Sequence, residues 1–276
     1  MNARRPRLKE PYTLWRPKVH RWLPLLALAC AWEAVSRLRL IDPLLFPPLT
    51  EVLARGWTVL LSGRLLGDLI ASLGRVLVGF SLAAMLAFPI GVALGLDPRL
   101  EALGGTLLSV LRPLSPPAWI PLAILWFGIG DAPAVFIIFV GTFFSLVVGT
   151  LSATKAMDPQ LIKAALTLGA TRWQSVGHVI LPGLLPALLT QARIGLGLAW
   201  MCVIAAEMVA VRRGIGFFMS EARNLFRTED VMVGMITIGL VGLASDRLLM
   251  SAEKRLCRWR VGLDPSRVYT QKEGQP

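Results

Sequence analysis

The chain has 276 residues, of which 55% are hydrophobic, and its mean hydropathy is +0.62. This apolar content exceeds the roughly 45–50% that is usual in soluble globular domains and excludes that class. The formal net charge of +12 is concentrated near the two ends of the chain. In so apolar a protein, basic ends indicate the cytoplasmic side of a membrane and not a nucleic-acid-binding surface.

Six segments have the length and apolar character of membrane helices, each of which needs roughly 20 mostly apolar residues. In chain order they cover residues 22–40, 76–96, 114–130, 132–150, 184–211 and 231–249. The third is short and begins among prolines, and the fifth is long enough for its first turn to leave the bilayer. We therefore predict an all-α membrane protein with a basic tail at 1–21, a transmembrane domain at 22–253 and a second basic tail at 254–276.

The segment between the first two predicted spans, residues 41–75, is predicted to be a periplasmic loop with one or two interfacial helices. The apolar run before it continues into Trp32 and Glu33 without a small-residue cleavage site, so it is interpreted as the first span and not as a signal peptide. Three scattered cysteines indicate neither a disulfide framework nor a metal site.

Both termini are predicted to be cytoplasmic. An even number of spans places them on one side, and the basic residues of the tails assign that side to the cytoplasm. The segment between the fourth and fifth spans is then cytoplasmic too, and Lys155 and Lys163 agree with that assignment. The loop between the fifth and sixth spans, residues 212–230, is nearly balanced in charge, as expected of an outer loop.

A polar insert at 155–183 is the most informative segment of the chain. Asp158 suits a helix N-cap and Pro159 the first helical position, so the pattern predicts a short helix that ends at Leu168 with Gly169 as its C′ residue. A second short helix is predicted before Leu181. A water-exposed helical hairpin between two membrane spans is interpreted as a docking surface for a partner.

The residues of this insert resemble the EAA loop of ABC transporter permeases. Lys163, Ala164, Ala165, Gly169 and the Leu181–Pro182 pair stand at the spacing of that motif, although Lys163 replaces the family's glutamate. Segments 72–76, 121–128, 214–217 and 221–230 are similar to the nitrate, sulfonate and taurine branch of the family. The resemblance implies a type I importer permease fold with a cytoplasmic coupling helix, which moves a small solute such as nitrate, a sulfonate or taurine across the bacterial inner membrane.

The resemblance also implies a set of partners. The chain contains no G-x-x-x-x-G-K-[ST] phosphate loop, so we expect no ATPase activity and no cofactor here, with ATP bound by two copies of a separate ATPase subunit. That subunit is expected to bind the six coupling residues: Lys163, Ala164, Ala165, Gly169, Leu181 and Pro182. A second permease copy in a homodimer, a periplasmic substrate-binding protein and the lipid bilayer complete the set, and nucleic acid is not among them.

Two charged residues on the fifth span are candidates for the solute pathway, because a charge inside a membrane is costly. Arg193 and Glu207 stand 14 residues, or about 21 Å, apart on one helix and cannot pair with each other. Arg193 either attracts an anion or extends to the cytoplasmic interface, and Glu207 is expected to bond to a neighbouring helix. In the first span, Glu33 is expected to bond to Arg37, one turn later.

The remaining pathway candidates surround a proline-rich break. Ser115 and Trp119 flank two prolines, which mark either a broken helix of the kind found at transport sites or a plain helix start. Thr142 and Ser145, on the fourth span, either offer hydroxyl groups to the solute or bond between helices.

Two other classes of protein compete with the importer permease. A stand-alone secondary transporter or channel would need no polar hairpin at 155–183. A membrane enzyme would have little chemistry available, because His20 and His178 are the only histidines, neither lies in a predicted span, and no carboxylates cluster at one site.

Overall fold

The computed structural model describes residues 23–42, 44–111 and 113–257, and the predicted tail 1–21 and residues 258–276 of the second tail lie outside this range. The described residues contain α-helices joined by turns and no strand, which confirms the all-α prediction. The helices are α1 Leu23–Arg37, α2 Leu49–Leu61, α3 Arg64–Leu96, α4 Pro98–Leu111, α5 Ile120–Phe127, α6 Asp131–Lys155, α7 Pro159–Thr167, α8 Arg172–Ser175, α9 Leu181–Ala210, α10 Ile215–Asn224 and α11 Thr228–Leu256.

Four helices are long and apolar enough to cross a membrane: α3, α6, a continuous helix over Trp173–Ala210 that includes α9, and α11. They correspond to the second, fourth, fifth and sixth predicted spans. However, α3 begins at Arg64 and not near Val76, so the predicted loop 41–75 is wrong over its last third, and only α2 is a separate helix there. Three of the polar residues in this stretch, Asp68, Ser72 and Arg75, are buried inside the protein, where they bond to α9 and to the turn before α10.

The third predicted span, 114–130, is not one straight crossing. A 3₁₀ turn at Pro116–Trp119 leads into the short helix α5, and this unit meets α4 at an angle of 81°. Taken together, α4 and α5 have the length and hydropathy of a fifth membrane segment, either a broken span or a re-entrant loop. The 15 described residues of α1 fall short of the roughly 20 that a span needs, so the count of six spans stays a prediction.

The core of the fold is the contact between α3 and α6, the most extensive helix pair among the described residues. A Cβ atom on Gly79 would lie 2.8 Å from Ile138 Cβ, so the two backbones approach too closely for any larger residue. Close approach through small residues is a common way to pack membrane helices. On α3 these small residues occur at every fourth position: Gly79, Ala83, Ala87, Gly91 and Gly95.

Helix α9 packs against both α6 and α3 and runs antiparallel to α6. The two ends of this three-helix core are therefore distinct. We call the end with Lys155 and Leu181 the loop end, and the end with Asp131 and Ala210 the distal end. Since α6 has 25 residues, the two ends are about 37 Å apart.

Candidate functional site

The predicted coupling helix forms at the loop end as α7. Asp158 caps it by accepting a hydrogen bond from the Gln160 backbone N–H at 2.9 Å, and Pro159 is its first residue. Gly169 ends it with φ of +85°, and the Ala170 N–H reaches back to the Ala165 carbonyl at 3.1 Å. The sequence prediction of this helix and of its glycine stop is confirmed.

The loop presents apolar side chains to its surroundings. Leu168 is 88% exposed and Trp173 is 85% exposed, and Lys163 and Ala164 are also on the surface. Large apolar side chains on an otherwise polar loop indicate a surface that a partner covers.

The predicted second short helix is not separate from the membrane helix that follows. Helix α8 continues through a π turn at Val176–Ile180 into α9, and the Leu181 N–H donates to the carbonyl of Val176, five residues back. Pro182 explains this geometry in part, because it has no N–H to donate to the preceding turn. The loop therefore ends as a continuous helical rod from residue 173 to residue 210.

A small apolar cluster attaches α7 to two spans. Ile162 of α7 packs against an apolar cluster whose buried members are Val92 of α3, Ile180 of the π turn and Leu184 of α9. The cluster therefore joins α7 to the loop ends of α3 and α9.

The break between α4 and α5 lies beside the middle of α6. A Cβ atom on Gly141 would be 3.1 Å from Pro116 Cγ, so the glycine makes room for the proline. A cavity of about 160 Å³ opens there, and Ser145 lines it together with Leu114 and Pro116. The structure therefore brings Ser145 next to the break that the prolines predicted.

The other predicted pathway residues near the break have different surroundings. Ser115 is exposed, and the Trp119 ring packs edge-on against Phe136 with 6.3 Å between ring centroids. Thr142 is fully buried, and its hydroxyl donates to the Ile138 carbonyl at 2.8 Å. The hydroxyl of Thr142 is thus satisfied within its own helix.

Arg193 has acidic partners that the sequence argument did not name. Its guanidinium donates to both carboxylate oxygens of Asp246, at 2.8 and 3.1 Å, and lies 3.6 Å from Glu253, so it joins α9 to α11. The bond predicted between Glu33 and Arg37 is confirmed, at 2.7 Å.

A buried polar network occupies the distal end. Glu207 is fully buried and accepts hydrogen bonds from Arg75 at 2.5 Å, Ser72 at 2.8 Å and the Gly216 N–H at 2.9 Å. The predicted bond of Glu207 to a neighbouring helix is confirmed. Arg75 also donates to Asp131 at 2.7 Å, so one guanidinium links α3, α6 and α9.

The same network fixes the turn before α10. Arg75 donates to the Arg213 carbonyl at 2.7 Å, the Ile215 N–H donates to Ser72 at 3.0 Å, and the Gly214 N–H donates to Asp68 at 3.1 Å. Sequence reasoning missed Arg75 and Asp68 as functional positions, although segment 72–76 had been noted for its family resemblance. Within the described ranges, no three His, Cys, Asp or Glu side chains are placed to hold a metal ion.

The sequence that forms most of these helices also matches a known protein family. Residues 79–256, which include most of α3 and all of α6, α7, α9 and α11, match the model of the binding-protein-dependent transport system inner membrane component family. The chain belongs to this family. It is a membrane-embedded permease of the ABC transporter class, and residues 158–182 are its candidate coupling loop.

Curated relatives align with most of the permease. A putative ABC transporter permease of Methanocaldococcus jannaschii is 39% identical over 243 residues, which cover 86% of this chain and 90% of the relative. The taurine transport system permease protein TauC of Escherichia coli is 34% identical over 240 residues, covering 85% and 87% of the two chains.

A solved structure of the MetNI methionine ABC transporter in an inward-facing conformation shares the fold. It aligns with a TM-score of 0.56 at 21% sequence identity, covering 74% of this chain and 98% of the other. The permease therefore has the type I importer fold that its sequence resemblance implied.

Proposed function

We propose that this permease is the transmembrane subunit of an ATP-driven importer that moves a small anion, a sulfonate such as taurine or else nitrate, across a bacterial inner membrane. Family membership supports the transport role, and the similarity to a taurine permease supports the class of solute. The observation that carries the mechanism is the capped helix α7, which is exposed on one side and joined on the other, through Ile162, to an apolar cluster shared by α3, the π turn and α9.

The coupling step follows from the contacts of α7. A separate ATPase subunit binds the exposed surface around Lys163, Ala164, Leu168 and Trp173. When the ATPase closes, it displaces α7, and the contacts of Ile162 carry the loop ends of α3 and α9 with it. Alternating access results if these ends move as a rigid body, because the closely packed core cannot deform smoothly.

The solute pathway is proposed to pass the break between α4 and α5. Prolines leave backbone groups without helical partners there, and such broken helices commonly bind solutes at the middle of a membrane. Ser145 lines the adjoining cavity, and its hydroxyl bonds to no other described residue. Ser115 and Trp119 flank the same break, whereas Thr142, Arg193 and Glu207 are held by bonds within the protein and act as supports.

The partners and orientation complete the proposal. Two ATPase copies bind ATP, since this chain has no phosphate loop, no cofactor and no enzymatic role of its own. A second permease copy packs against this one; α11, the least buried of the four long helices, offers a free face for it or for lipid. The loop end and both termini are cytoplasmic, and a periplasmic binding protein delivers solute to the distal end.

The proposal is tested by replacing Gly169 with valine. A β-branched residue is poorly tolerated at φ of +85°, so the turn after α7 should be displaced while the spans stay intact. We expect Gly169→Val to insert normally but to lose the co-purifying ATPase and solute uptake. Gly63→Val is the matched control, because Gly63 has φ of +74° and open space around it but lies at the distal end.

Two results would contradict the proposal. ATPase co-purification and uptake that are unchanged in Gly169→Val would exclude the loop as the coupling element. Uptake by the purified wild-type chain with no ATPase present would instead identify a stand-alone transporter.

A further inference from the structure

A second cavity, of about 530 Å³, lies at the distal end and belongs to neither the coupling loop nor the break. It is bounded by the first half of α3, the start of α6 and the segment that follows α9. Its volume is within the roughly 300–1,000 Å³ that is usual for small-molecule sites. A sulfonate or carboxylate of a few heavy atoms fits with room for water.

The charged side chains that line this cavity are mostly cationic. They are Arg75, Arg212 and Arg213 against the single carboxylate of Asp131. Asp131 is bonded to Arg75, and Arg75 also forms an ion pair with the buried carboxylate of Glu207. Glu207 is therefore not available to Arg212 and Arg213, and Asp131, which bonds to Arg75 through one carboxylate oxygen, forms no ion pair with either of them.

Arg212 and Arg213 are exposed, and their side chains form no hydrogen bond or ion pair with any other described residue. Two exposed positive charges on consecutive residues therefore line this cavity. Gly67 makes room for one of them, since a Cβ atom on Gly67 would lie 2.5 Å from Arg213 Nη2.

The α3 wall of the cavity is largely apolar. It is formed by small and apolar residues, among them Ile70, Gly74 and Val78. These three residues carry no charge, so they do not compete with Arg212 and Arg213 for an oxyanion. The planar fork of an arginine suits the oxygens of a sulfonate, carboxylate or phosphate group.

We propose that this distal cavity binds a small oxyanion between Arg212 and Arg213. The oxyanion comes either from the transported solute on its way to the pathway or from the head group of an anionic lipid. The first source rests on the proposed function, whereas the binding site itself does not.

The test uses the full-length chain purified in a nonionic detergent together with the partners that it retains. Methanesulfonate binding is titrated by calorimetry, and bound phosphatidylglycerol is counted by native mass spectrometry. The variant Arg212→Gln/Arg213→Gln removes both cations from the cavity. The control Arg223→Gln/Arg227→Gln removes the same charge from exposed arginines that do not line the cavity.

We expect the cavity variant to raise the Kd for methanesulfonate at least about tenfold, and the control to leave it unchanged. Arg212→Lys/Arg213→Lys should recover part of the affinity, since charge remains but the fork is lost. If methanesulfonate does not bind, but phosphatidylglycerol is retained by the wild type and the control and lost from the cavity variant, the oxyanion is a lipid head group. The proposal is overturned if all variants bind methanesulfonate and phosphatidylglycerol as well as the wild type does. It is also overturned if the wild type binds neither probe.

These outcomes are separable from those of the coupling proposal. Elution volume and thermal unfolding should be the same for the cavity variant and the wild type, because the two side chains have no partners to lose. The cavity variant should still co-purify with the ATPase. Loss of the ATPase from Gly169→Val without loss of methanesulfonate binding would show that the two sites work independently.

Discussion

Replacing Arg75 with methionine should destabilise the permease more than any exposed arginine substitution. The Arg75 side chain is 8% exposed and that of Glu207 is 0% exposed, so the variant leaves a buried carboxylate without its cationic partner. Only Ser72 and the Gly216 N–H would still donate to Glu207. Removal of one partner of a buried ion pair typically costs about 3–5 kcal/mol.

A second route gives a similar magnitude. The variant can avoid the buried charge by protonating Glu207, and protonation of a glutamate with an ordinary pKa of about 4.3 costs about 3.7 kcal/mol at pH 7. The exposed carboxylate of Asp131 returns to water and adds little. We therefore expect a loss of about 3–4 kcal/mol at pH 7.

The assay is unfolding of the purified chain in detergent at pH 7, with Arg37→Met as the control. Arg37 forms an exposed pair with Glu33 one turn away, and exposed pairs of this kind contribute little to stability. The double variant Arg75→Met/Glu207→Met should be more stable than Arg75→Met alone, since no buried charge remains. A loss for Arg75→Met no larger than that of the control would refute this reasoning.

Two further substitutions test the contact between α3 and α6 and the coupling helix α7. Gly91→Ala should lower the free energy of unfolding by about 1–3 kcal/mol, because the new Cβ would lie 2.5 Å from Thr150 Cβ. Gly239→Ala is the control in the same unfolding measurement. It should be neutral or slightly stabilising, because open space surrounds Gly239. Asp158→Ala should destabilise α7 locally by about 1 kcal/mol, because the helix loses its N-cap. The expected result is faster hydrogen exchange in α7 but not in α6. Unchanged exchange would show that packing alone stabilises this helix.

Local patterns in the sequence were sufficient for the long helices and for the coupling helix. Apolar length located α6, α9 and α11 because a membrane helix satisfies its own backbone hydrogen bonds, so length and hydropathy are the main requirements. The Asp158 cap and the Gly169 stop could be read directly, because capping depends on residues within one turn. The coupling function of these residues stays a prediction.

Only the tertiary structure decided where the polar residues of the first half of α3 belong. Asp68 and Arg75 looked like loop residues, since a charge in a membrane helix is normally excluded, but partners on α9 and in the turn at Gly214 bury them. Those partners stand more than 130 positions away, and no local pattern encodes the match. The same holds for Arg193 and Asp246. The sequence by itself located most of the long apolar helices, while long-range packing determined which charges meet and how each is neutralised.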